Sequence, residues 1–396
     1  MECAYGLWDI QESYGKPSSS TKVVSASASY NIALMNVLSM IHCYLTFVYL
    51  HCWDPEFDSV LDLNLLEDWD DEEDIWYKTL LISLVNGETT PTQAATEIDT
   101  YITTESNERY ELHRAYTYHR DQMPPHTVLT EDPLTVEMEG KTEEEVVTIG
   151  APAPEAHFEM VVRCITRLAS AFPPEHVGQD RIVAFLETLK ALPRHGIQII
   201  NPMRENDEED KLFYTTLEVW PLDGNFLALS SDGVNAAFIY RHYPAIQPPP
   251  TDRELRWRNY QAAITRFLVR NLIVCTHLCA LEGILQDDGW YPDLDDPARR
   301  DSGYRWLAGW VIAGAQWLLR PEVRAHVYRQ CLNREKVGRR EDMWSRERWQ
   351  QWKDHFARNA IEERLGPYAR QLAGLVCQGM IAHEEEVTLS PVTGSL

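Results

Sequence analysis

With 396 residues, 44% of them hydrophobic and 13 of them tryptophan, the chain can fill one large core or two smaller ones. Its formal charge of −25 argues against nucleic acid as a partner, because an acidic surface repels a polyanion. Eight cysteines with no C-x-x-C pair, and no N-x-S/T acceptor, argue against a disulfide scaffold and for a reducing setting, cytoplasmic or nuclear.

The charge is unevenly divided. Residues 1–160 carry 30 acids against 7 bases, whereas residues 161–396 carry 31 against 29. The densest basic run, 320–348, has nine Lys or Arg against five acids and reads as a solvated helix face laced with ion pairs. Residues 1–22 hold a Pro17-Ser18-Ser19-Ser20 run and read as a flexible leader. From 23 to 53 there is no Asp, Glu, Lys or Arg. Three readings of this segment stand: a buried helix, a membrane anchor through residues 30–50, or translated non-coding sequence.

Residues 54–122 read as acidic N-terminal helices. Asp70-Asp71-Glu72-Glu73-Asp74 opens one, where carboxylates favour the positive end of the helix dipole, and Asn86-Gly87 closes it. Thr90 caps the next, with Pro91 at its first position. A separate third helix is expected over 107–120. Residues 123–154, with Pro124-Pro125, Pro133 and an acidic cluster, read as a linker.

The main helical domain is expected over 155–386, followed by a disordered tail at 387–396. Helices are expected at 155–172, stopped by Pro173-Pro174, and at 178–192, stopped by Pro193. Residues 213–243 read as irregular. The longest helix is expected over 252–286, with Tyr260, Ile264, Phe267, Val274, Leu278, Leu281 and Leu285 as its apolar stripe and Asn271 inside that stripe. Residues 304–320 then form a helix apolar on all sides, with Trp306, Trp310 and Trp317 on one narrow face. Three more helices follow: one after Pro321, one near 345–365 carrying Trp349 and Trp352, and one after Gly366-Pro367. The fold class is mostly α: a multi-helix globular domain, or domains, with a long helix and a tryptophan-rich C-terminal helical core.

One series of these pieces resembles a known family. It runs from the Trp76 helix with Asn86-Gly87-Glu88, through Ala94-Ala95-x-x-Ile98-Asp99, to His176-x-Gly178-Gln179-Asp180-Arg181. Trp306-x-x-x-Trp310-Val311, Ala315-Gln316-Trp317 and Trp349-x-x-Trp352-Lys353 complete it. In this order the motifs, across about residues 60–385, resemble the filamentous-fungal family known as domain of unknown function 3632. The resemblance implies a helical intracellular protein from a fungus and carries over no catalytic residue.

No serine-nucleophile elbow, phosphate-binding glycine loop or H-E-x-x-H pair is present. Asp70-Asp71-x-x-Asp74 fits a magnesium–diphosphate pattern, and Asp287-Asp288 heads a second acidic cluster; both also read as helix and turn caps. Trp306, Trp310, Trp317, Trp349 and Trp352 are candidates for lining a ligand or partner site, and Asn271 is a candidate pocket residue. At helical spacing the tryptophans equally read as core. The expectation is a non-enzymatic protein that binds a protein partner or a small ligand, with no cofactor. A magnesium-dependent all-α enzyme using the acidic clusters is one rival, and a membrane-tethered interaction protein is another.

Overall fold

A computed structural model describes residues 59–122, 154–193, 196–200, 214–218, 252–272, 279–285, 300–334 and 343–389. The leader, the uncharged segment 23–53, most of the expected linker, and Asp287 and Asp288 lie outside the described residues. Among the described residues there are nine α-helices, one short 3-10 turn and a two-stranded ladder. None of these helices is long and apolar enough to cross a membrane.

Helix α1 (Glu72–Asn86) starts where the acids predict. Asp71 accepts from the Asp74 N–H at 2.8 Å, and Glu72, Glu73 and Asp74 fill the first turn. It ends at Gly87, whose φ of 83° lies in the left-handed region that a side chain disfavours. There the N–H groups of Gly87 and Glu88 reach back to the Leu84 and Ser83 carbonyls. Helix α2 (Pro91–Gln122) opens on Pro91, with Thr90 Oγ1 accepting from the Gln93 N–H at 3.2 Å. The expected third helix is not separate. No Gly or Pro interrupts residues 92–122, so α2 runs 32 residues as the longest described helix.

Helix α3 (Pro154–Ala171) stops before Pro173-Pro174, since the residue ahead of a proline avoids helical dihedrals. Helix α4 (Val177–Ala191) is capped by His176, whose Nδ1 accepts from the Gly178 N–H at 3.0 Å while its ring stacks on Phe172. Strands β1 (Gly196–Ile200) and β2 (Tyr214–Glu218) pair antiparallel, Gly196 opposite Glu218 and Ile200 opposite Tyr214. Isoleucines in β1 and threonines in β2 suit a pleated surface. The sequence reading, which expects no strand here, sees neither, because each is only five residues long.

Helix α5 (Asp252–Val269) lies at the centre, in contact with α3, α4 and two later helices. Apolar Trp257, Tyr260, Ile264 and Phe267 are buried along it, and so are polar Arg258, Asn259, Gln261 and Thr265. Burial on every side explains the polar set, since each is hydrogen-bonded within the protein: Arg258 to the Asn259 side chain, Thr265 to the Ala262 carbonyl, and Asn259 and Gln261 to other parts of the chain. Asn259 Nδ2 donates to the Ser170 carbonyl at 3.0 Å, and Gln179 Nε2 donates to the Asn259 carbonyl at 3.1 Å.

The expected helix over 252–286 is corrected here. Helix α5 ends at Val269, and Asn271 turns the chain with φ 55°. The Asn271 N–H bonds the Leu268 carbonyl at 3.0 Å and the Leu272 N–H bonds Phe267 at 2.9 Å. That pair of bonds is a C-terminal cap, and asparagine is the residue after glycine that best tolerates the left-handed position. The chain returns as a 3-10 turn, Glu282–Ile284.

Helix α6 (Arg300–Ala315) carries Trp306 and Trp310 but stops short of the expected 320, leaving Trp317 in the turn that follows, and residues 307–318 are buried without a break. Each fully buried Leu, Ile or Val there contributes about 1.5–3 kcal/mol relative to exposure. Helix α7 (Pro321–Leu332) begins at the proline, as read. Helix α8 (Arg346–Ile361) is capped by Ser345 Oγ, which accepts from the Arg348 N–H at 3.1 Å. Helix α9 (Pro367–Leu389) packs on α8 and α6 and runs past 386 into the segment expected to be a tail. The mostly α class and the buried tryptophan core are as the sequence predicts.

Candidate ligand cavity

Most of the tryptophans singled out in the sequence sit in packing rather than at an opening. Trp317 and Trp352 are fully buried and meet through Trp344, at ring distances of 6.2 and 5.9 Å. The Trp317 indole donates to Gln261 Oε1 at 2.6 Å, and the same oxygen accepts from the Ala280 N–H at 3.0 Å. Trp310 lies edge-on to Trp257 and covers Gly283, where a Cβ would stand 2.3 Å from the ring. Trp349 packs on Tyr328 and donates to Glu384 Oε1 at 2.6 Å. Trp306 is half-buried.

The acidic candidates in the described residues are occupied by the protein itself. Asp70 is held by Lys78 Nζ and accepts from the Glu67 N–H at 2.7 Å. Burial raises its pKa, but Lys78, the Glu67 N–H and Arg167 outweigh it and hold the carboxyl below its usual range. Asp71 is the cap of α1 and points at Asp74 N–H. Asp74, by contrast, is pushed up by burial and by the neighbouring Asp71. Among the described residues no three His, Cys, Asp or Glu side chains stand where they could share a metal ion.

Asn271, a sequence candidate among the described residues, lines an open cavity. It has a volume of about 500 Å³ and lies between the end of α5 and the face of α7. Val269, Asn271, His326, Arg329, Gln330, Leu332 and Asn333 surround it. Four of these come from one stripe: positions 326, 329, 330 and 333 are spaced i, i+3, i+4 and i+7, which puts them on one side of a helix. Val323, Val327 and Cys331, on the adjoining and partly shared face of α7, are buried in the core. The sequence contains that stripe, but a polar face reads as ordinary solvated surface until a second element stands across from it.

The polar heads in the cavity are left available. Arg329 Nε donates to the Ala325 carbonyl at 3.2 Å, which leaves both Nη groups outside that bond. The side chains of Asn271, His326, Gln330 and Asn333 make no hydrogen bond to the described residues. Burial first, and then the Arg329 charge, lowers the His326 pKa from its ordinary value, so its ring is neutral at neutral pH, with one nitrogen donating and one accepting. The backbone side of the cavity is already satisfied: Lys190 Nζ donates to the Asn271 carbonyl at 2.7 Å.

Comparison with known proteins agrees with the family resemblance drawn from the motifs. Residues 163–356 match the family described as "Protein of unknown function (DUF3632)". The matched span, just under half of the chain, runs from within α3 to within α8 and includes the whole cavity. No curated protein and no solved structure matches the chain.

Proposed function

We propose that this chain is a non-enzymatic helical binding protein that takes a small polar ligand in the cavity between α5 and α7. The observation that carries this reading is the convergence of five polar side chains around a volume of about 500 Å³, four of them without a side-chain hydrogen bond to the described residues and Arg329 engaged only through Nε. Ligand sites of that size combine an apolar wall with a few placed polar groups. Here Val269 and Leu332 supply the wall.

A magnesium-dependent enzyme has less support, because Asp70 is paired with Lys78 and Asp71 is spent as a helix cap. Burial pushes the Cys164 and Cys331 thiols up to about 12, so they are packed, unreactive groups. Free buried thiols suit a protein of the cytoplasm or nucleus, and the motif resemblance favours a fungal source. The test is a screen of small polar fragments by ligand-observed NMR, run on the full chain and on Gln330→Trp, which fills the cavity. Hits that vanish in the filled variant support the reading. Hits that persist unchanged there place binding elsewhere and overturn it.

A further inference from the structure

The chemistry of the cavity narrows its ligand. We infer that the cavity binds a small carboxylate, held by the Arg329 guanidinium with Asn271, Gln330 and Asn333 as amide donors. This rests on the cavity being a ligand site at all.

Of the seven lining residues, none is Asp or Glu, and only Arg329 carries a fixed charge. With its Nε engaged by Ala325, the two Nη groups remain as a planar fork. A fork of that kind meets a carboxylate through two parallel bonds, which is stronger and more directional than a point charge. One fixed positive charge balances one carboxylate. Succinate sets one of its two carboxylates on that charge and leaves the other in solvent, whereas a phosphate dianion concentrates both of its charges there.

Helix ends set the remaining field. The cavity lies beside the C-terminus of α5 and the C-terminus of α7, where unbonded carbonyls would repel an anion. At α5 those carbonyls are quenched. Phe267 and Leu268 accept from Leu272 and Asn271, and the Asn271 carbonyl accepts from Lys190. Lys190 itself adds a cation behind the cap, and Arg270 beside it is neutralised by Glu187 at 2.9 Å. At α7 the Gln330 carbonyl accepts from the Asn333 N–H at 3.4 Å. What an incoming ligand meets is therefore one guanidinium and three side-chain amides that can each turn their donor toward it.

The experiment is calorimetric titration of the full chain with three probes: sodium succinate, inorganic phosphate and glycerol. Two variants accompany it. Arg329→Gln removes the fork, and Asn271→Gly removes one amide while keeping a residue that accepts the left-handed turn. Succinate is expected to bind the native chain, at least tenfold more weakly in Arg329→Gln and several-fold more weakly in Asn271→Gly, with thermal midpoints unchanged. Stronger binding of phosphate than of succinate overturns the carboxylate assignment. Equal binding of glycerol to the native chain and Arg329→Gln, without succinate binding, also overturns it but leaves the cavity reading standing. Succinate binding that is indifferent to both substitutions overturns the assignment as well. If none of the three probes binds, the carboxylate assignment fails, and the fragment screen decides the cavity reading separately.

Discussion

Gln261 lies at the point where three parts of the chain meet. Its carbonyl oxygen accepts from the Trp317 indole and from the Ala280 N–H, and its side chain is fully buried. In a region with little water, an unpaired donor keeps the whole cost of its lost hydration, about 1–3 kcal/mol each. Gln261→Leu keeps most of the volume and strands both donors. It is expected to lower stability by about 2–5 kcal/mol in urea unfolding, with the tryptophan emission shifted to the red. A loss under about 1 kcal/mol would mean that neither donor depends on that oxygen. The sequence places Trp317 in the core from helical spacing alone. It does not disclose Gln261, because glutamine in a helix is usually solvent-facing and its partners lie 19 and 56 residues away.

Helices α1, α2 and α3 are joined by one imidazole. His157 on α3 is buried, with Nδ1 2.6 Å from Glu73 Oε1 on α1 and Nε2 against Glu105 Oε2 on α2. Tyr77 lies 3.1 Å from Nδ1, and Arg109 pairs with Glu105 from the same helix. Burial raises the Glu105 pKa, but the His157 bond and charge, with Arg109, outweigh it and hold it below its ordinary 4.5. A lowered carboxyl stabilises the fold above its unfolded value, and that contribution is lost as pH falls through the folded value. The thermal midpoint should therefore fall as the solution is acidified below about 4.5, and Glu105→Gln should flatten the decline. An identical acid limb in the variant would place the acid sensitivity elsewhere.

At this scale the sequence discloses starts better than stops. Asp71, Thr90, Pro91, Pro321 and Ser345 mark helix starts through chemistry local to each residue. The end of α5 is harder, because Asn271 sits inside an apolar pattern that continues through Leu281 and Leu285. Periodicity there reports burial on both sides of a turn, and it cannot tell a continuous helix from an interrupted one. The same residue holds the cap and lines the cavity, so the misread stop and the candidate site are one feature.

For the molecule as a whole, α5 divides the labour. On one side it packs against α3 and α4, and on the other against α6 and α7. The tryptophan rings fill the second side completely, which leaves the polar edge of α7 as the open surface of that region. The family match over 163–356 covers this central arrangement. The architecture was legible in composition and spacing. The cavity was not, because it depends on which polar stripe ends up facing the capped end of a distant helix. Hydrogen–deuterium exchange of the full chain with and without saturating succinate tests the account most directly. Slowed exchange confined to residues 267–272 and 326–333 is the predicted result. Slowed exchange around Trp310 and Trp317, with none at 326–333, would contradict it and move the site into the tryptophan core.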